Sequence, residues 1–147
     1  MEGKIMTGDD LERYRHCFVC GDKNPIGLKI DFHYEEGKAK ACFTPAEEYE
    51  GYRDILHGGI LAAVLDEVMV KAVLAEGIPA LTSRMDVRYR LPAVIGEELF
   101  LEGWITEAKS RLIMTAGKVS RKDGIIVAEA GGTYFRVRGE MAEKLAP

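Results

Sequence analysis

Several things are scarce in this chain of 147 residues, and each scarcity excludes a class of protein. There is no run of 18 or more uninterrupted apolar residues, so no membrane-spanning helix is expected. The first ten residues are polar and mixed in charge. They lack the basic start and apolar stretch of a signal peptide, which makes the cytoplasm the expected compartment. There is no basic block, and the net charge is -4, so nucleic acid is not an expected partner. The cysteines number only three, Cys17, Cys20 and Cys42, an odd count that argues against a disulfide framework. Internal repeats, low-complexity stretches and linkers are also missing. A hydrophobic content of 47% is too high for a disordered chain. The expectation is a single domain over residues 1–147, with a short helix and loop occupying about 1–27.

What is present is a clear order of elements. Residues 9–16 suit a short helix, and 17–27 read as a loop rich in turn formers, among them Gly21, Asn24-Pro25 and Gly27. Strands follow at 28–34 and 38–43, joined by a Glu35-Glu36-Gly37 turn. The strongest helix signal runs from Gly58 to about Glu76. It is apolar on nearly every side, as a buried helix is, and Gly77 and Pro79 end it. Met85, Val87, Tyr89 and Leu91 then alternate with Arg84, Asp86, Arg88 and Arg90, the period of a strand. Three more strands, 98–106, 111–121 and 125–138, complete the chain, with Asp123-Gly124 as a tight hairpin turn. Two strands, one buried helix and four strands predict an α+β fold, an antiparallel sheet wrapped around one long central helix. One small sheet cannot enclose a helix about 28 Å long at 1.5 Å per residue, so a second copy of the chain is the expected cover.

Chemistry concentrates at two places on that helix. His57-Gly58-Gly59 stands at its start, where the first N–H groups have no internal partner and the helix dipole adds positive charge. Glycines there let a carbonyl approach the backbone closely. Read alone, the motif is first a tight turn capped by His57, and it offers no recognised metal-ligand spacing. Asp66 lies mid-helix, and its neighbours three and four residues away are Ala62, Ala63, Met69 and Val70, none able to pair with a carboxylate. A carboxylate placed so is costly unless function or another element claims it. Glu67 precedes Lys71 by four residues and reads as an exposed-type helix ion pair. His16-Cys17-Phe18-Val19-Cys20-Gly21 reads first as a structural turn, with half of a zinc knuckle or a redox pair as lesser alternatives. No metal site is assigned.

His57-Gly58-Gly59 with an Asp nine positions after the His resembles the hotdog-fold acyl-CoA thioesterases of the phenylacetate-pathway (PaaI-like) type, as does the loop Cys20-Gly21-Asp22-Lys23-Asn24-Pro25-Ile26-Gly27-Leu28. The resemblance spans about residues 24–138. It implies a hotdog fold, a homodimer assembling further as a dimer of dimers, and hydrolysis of acyl-CoA with coenzyme A as substrate and no cofactor. It also implies roles. The Gly58 N–H, with His57 and Gly59 beside it, polarises the thioester carbonyl. Asp66 is general base or nucleophile, and Thr82 or Ser83 orients the attacking water. Many members carry Asn or Gln six or seven residues before the His–Gly pair, where this chain has Gly51 and Glu50. Candidate cations for the coenzyme A phosphates are Arg88, Arg90, Lys109 and Arg111. The competing readings are a hydroxyacyl-thioester dehydratase using His57 with Asp66, and a non-catalytic acyl-CoA binding module.

Overall fold

The structure, a computed structural model, describes residues 4–6 and 14–145. Seven strands form one antiparallel sheet: β1 (Lys4–Met6), β2 (Phe32–Glu35), β3 (Lys38–Phe43), β4 (Ala80–Tyr89), β5 (Leu99–Ala108), β6 (Leu112–Arg121) and β7 (Ile126–Arg136). Their spatial order is β1-β2-β3-β5-β6-β7-β4. Helix α1 (Gly58–Ala75) packs across one face, touching strands β2 to β7, and a short α2 (Glu140–Leu145) follows the last strand. This is the expected hotdog architecture. The short β1 and α2 were not anticipated, and most of the helix expected over 9–16 lies outside the described residues.

Local chemistry explains the elements. The β2–β3 turn places Glu36 at φ 51° and Gly37 at φ 79°, two consecutive left-handed residues of the kind that matches strand twist. Between β6 and β7, Gly124 adopts φ 87° and the Asp123 side chain accepts the Ile125 N–H at 3.0 Å. The strand expected to begin at residue 28 begins at Phe32 instead. Residues 28–31 bond elsewhere: the N–H groups of Leu28 and Ile30 donate to the carbonyls of Phe18 and Val19 at 2.8 and 2.9 Å, with Lys29 at φ 54°.

The core lies between α1 and the concave face of the sheet. Leu61, Val64, Leu65, Val68 and Met69 of the helix meet Phe32, Leu99, Leu101, Ile113 and Val119, all at or near zero exposure. Two strand glycines let the sheet close this tightly. A Cβ on Gly103 would sit 2.4 Å from the Val68 carbonyl oxygen, and one on Gly117 would sit 2.9 Å from the Met69 side chain. The opposite face is polar where β3, β5 and β6 run side by side, with Glu102 within 3.2–4.0 Å of Lys38, Lys40 and Lys118.

Glu67 and Lys71 do pair, at 3.5 Å, but the reading of this pair as an exposed one is corrected: the Lys71 side chain is 1% exposed. The loop at 17–20 folds over this side of α1 and covers it.

Candidate active site

His57 caps α1, and its Nδ1 accepts the Gly59 N–H at 2.8 Å. An accepting Nδ1 leaves the ring proton on Nε2. Of the two glycine donors at the helix start, Gly59 is thus committed. The Gly58 N–H has no acceptor among the described residues and remains available to a ligand carbonyl. The Gly58 carbonyl accepts from the Tyr89 hydroxyl at 2.8 Å, which ties β4 to the helix start. A cleft of about 770 Å³ opens here, lined by His57, Gly58, Leu61, Tyr89 and Arg90 among others. Glu50 and Gly51 also line it, but the Glu50 carboxylate accepts the Asp54 N–H at 2.8 Å and holds a turn.

Asp66 is not part of that cleft. Its partners come from the sheet. Thr82 Oγ1 donates to Asp66 Oδ1 at 2.9 Å and the Tyr134 hydroxyl donates to the same oxygen at 2.8 Å. Tyr134 also reaches the Asp66 carbonyl oxygen at 3.1 Å. Thr82 and Tyr134 stand directly opposite each other on β4 and β7, so one register step delivers both hydroxyls to one carboxylate oxygen. Oδ2 has no hydrogen-bond partner among the described residues. Burial and the Asp66 carboxylate both push the Tyr134 hydroxyl pKa upward, which keeps it a donor. Ser83 occupies the β4 bulge, where the register slips between Thr82 and Arg84, and its side chain is exposed.

Tyr134 escaped the sequence reading. It sits on an alternating strand where any inward aromatic passes as core. A buried tyrosine hydroxyl needs a partner, however, and Asp66 was the unpaired group that could supply it. The four proposed phosphate-binding cations are scattered. Arg90 lines the Gly58 cleft while paired with Glu129 at 2.9 Å. Arg88 lies on the outer sheet face beside Trp104 and Lys118. Lys109 is 3.8 Å from Glu107, and Arg111 borders a separate apolar depression with Leu112 and Phe135.

A second cluster flanks α1 one residue further on. Cys17 Sγ lies 3.5 Å from Glu67 Oε1 and Cys20 Sγ lies 3.8 Å from Glu67 Oε2. Hydrogen bonds from the Cys20 thiol and backbone lower the Cys17 pKa to about 5, while sharing that bond pushes Cys20 upward. Burial raises Glu67 to about 7 against the opposing pull of Lys71.

An antiparallel sheet wrapped on one helix that begins His-Gly-Gly defines the hotdog class. The Thioesterase superfamily matches residues 54–128, just over half of the chain, and the chain belongs to that family. It is 26% identical over 112 residues to mouse acyl-coenzyme A thioesterase THEM5, covering 76% of this chain and 45% of that protein. It is 27% identical over 100 residues to human acyl-coenzyme A thioesterase 13, covering 66% of this chain and 71% of that one. The chain therefore spans less than half the length of the mouse relative. Among solved structures, the thioesterase superfamily protein RHA08564 superposes with a TM-score of 0.78 at 28% identity, over 82% of this chain and 63% of the other. Escherichia coli PaaI, from the phenylacetic acid degradation operon, shares the fold at a TM-score of 0.72 and 21% identity, over 76% of this chain and 82% of PaaI.

Proposed function

We propose that this protein hydrolyses acyl-CoA thioesters to the free acid and coenzyme A, as a single cytoplasmic domain that works as a homodimer and assembles further as a dimer of dimers. One observation carries the reading: a helix carboxylate, Asp66, is held by Thr82 and Tyr134 through one oxygen while its other oxygen has no hydrogen-bond partner among the described residues. That oxygen either takes a proton from water as the water attacks the thioester carbon or attacks the carbon itself. The Gly58 N–H, at the positive end of α1, stabilises the oxyanion that forms. The C–S bond then breaks and the coenzyme A sulfur leaves, taking a proton; where Asp66 itself has attacked, a water then cleaves the acyl–Asp66 anhydride, which releases the free acid and restores the carboxylate. Coenzyme A is substrate here, and no retained cofactor is required. The names of the thioesterase relatives support the same substrate class.

The His57–Asp66 pairing that a dehydratase needs is disfavoured because His57 spends Nδ1 on the Gly59 N–H and serves as the cap of the helix. The test is a thiol-release assay across a panel of acyl-CoA thioesters, run beside an assay for double-bond formation from hydroxyacyl-CoA. Thiol release with turnover is the expected result. Double-bond formation would favour the dehydratase, and tight binding without turnover a binding module.

Thr82 and Ser83 separate cleanly. Thr82→Ala is expected to lower kcat roughly 10- to 100-fold with little change in KM, the cost of one hydrogen bond to a charged group at about 1.5–3 kcal/mol. Ser83→Ala, whose side chain lies exposed at the bulge, should stay within about twofold, the ±0.5 kcal/mol typical of surface substitutions. A pure KM effect for Thr82→Ala would move that residue from the reacting geometry to substrate binding.

A further inference from the structure

We propose that Cys17, Cys20 and Glu67 form a binding site for a divalent transition ion of the zinc type, which pins the 17–20 loop to helix α1 beside the turn that carries Asp66. The inference takes up the metal alternative for this motif over the structural turn that its sequence suggested first, and it does not depend on the thioesterase reading.

The loop is built to aim two sulfurs at one point. Its turn closes with the Gly21 N–H donating to the Cys17 carbonyl at 2.9 Å. Gly21 is required there, since a Cβ would sit 2.2 Å from the Arg15 carbonyl oxygen. The Cys20 backbone N–H points at Cys17 Sγ from 3.5 Å, the kind of main-chain donor that steadies a ligating thiolate. The third donor comes from 47 residues further along the chain, because packing of the loop on α1 sets Glu67 across from both sulfurs.

The spacing suits a tetrahedral ion. Bonds of about 2.3 Å to sulfur and 2.0–2.2 Å to oxygen place neighbouring ligands about 3.5–3.8 Å apart. Cys17 Sγ lies 3.5 Å from one Glu67 oxygen and Cys20 Sγ 3.8 Å from the other, and with one oxygen taken from Glu67 the three donor atoms lie within 4.8 Å of one another. Two sulfurs favour zinc-like ions over magnesium or calcium. The charges also close. Two thiolates and a carboxylate carry three negative charges, Lys71 beside Glu67 carries one positive, and a divalent ion brings the sum to zero. Neutrality matters because Cys20 is 2% exposed and Lys71 1%. Three protein donors leave a fourth position for water or another ligand.

The test uses the full chain without a polyhistidine tag, purified with its thiols reduced. Elemental analysis is expected to find one zinc per chain. The apo-protein titrated with Co²⁺ should develop thiolate-to-cobalt charge-transfer absorption and the intense d–d bands of four-coordination. Glu67→Gln should weaken zinc binding at least about tenfold, in line with losing a metal contact, and Cys17→Ser with Cys20→Ser should abolish both signals. Should that double variant fail to fold, the cobalt spectrum of the wild type and the Glu67→Gln affinity decide the matter alone. The proposal is overturned by a wild-type protein with no stoichiometric metal and no cobalt–thiolate band. It is equally overturned by metal that survives the double substitution, or by a protein lighter by two hydrogens with a Cys17–Cys20 disulfide.

Discussion

Asp66→Asn lowers kcat for thioester hydrolysis by about 10²- to 10⁴-fold and leaves the fold intact, the loss expected on removing a general base or nucleophile. The substitution is close to isosteric. The amide oxygen still accepts from Thr82 and Tyr134, so the two hydroxyls that hold Oδ1 keep their partner. What disappears is the second carboxylate oxygen, Oδ2, which accepts from neither hydroxyl. Steady-state kinetics on the best substrate of the acyl-CoA panel, with a thermal melt as the control for folding, measure the two consequences separately. Retention of near-normal kcat would remove Asp66 from the mechanism and leave its hydrogen-bond network a purely structural device.

The second large effect concerns where the site is assembled. Gly58 and Asp66 are eight residues apart on α1, about 12 Å along the axis at 1.5 Å per residue. Both must lie within about 3 Å of one reacting centre, and a short Asp side chain cannot span the difference. Within one protomer the cleft at Gly58 also excludes Asp66. The helix face holding Gly59, Ala62, Ala63, Asp66 and Val70 is left partly open, and β4 forms a ten-residue edge of the sheet. An open helix face and a long edge strand are what a second copy would cover. With two helices antiparallel across a two-fold axis, Gly58 of one chain meets Asp66 of the other. Asp66→Ala and Gly58→Val should each be inactive. The nearest atoms to a Cβ at Gly58 are those of the Tyr89 side chain, from 3.5 Å, an ordinary van der Waals contact that lets the second variant fold. Mixed under subunit exchange, random pairing makes half the dimers mixed, and each mixed dimer holds one intact site. Activity should return to about a quarter of wild type. Exchange confirmed by mass without recovered activity would break the shared-site model.

Much of this is legible in the sequence alone, and the reason is local. Asp66 stood out because every helical neighbour in reach is apolar, a fact that needs only the 3.6-residue period. The turns at Gly37, Gly77 and Gly124 were legible because left-handed backbone selects glycine, and all three adopt positive φ. Glu67–Lys71 was half legible. Spacing four apart announces a pair, but the same spacing serves an exposed pair and a buried one. Only the loop laid over it, with Lys71 also facing the Phe32 ring at 5.9 Å, decided which.

The sequence by itself determined the long helix, six of the seven strands, their order and the helix carboxylate, because periodicity and turn chemistry act over a few residues. Tertiary structure decided who meets that carboxylate and what lies beside it. Thr82 and Tyr134 converge on Asp66 through a strand register joining positions 52 residues apart, and Cys17 and Cys20 reach Glu67 across 50 and 47. Such meetings depend on how whole faces pack, on the Gly103 contact that seats the helix and on the register that sets Thr82 opposite Tyr134. No local pattern encodes them, since the free energy that selects them is spread over the entire core.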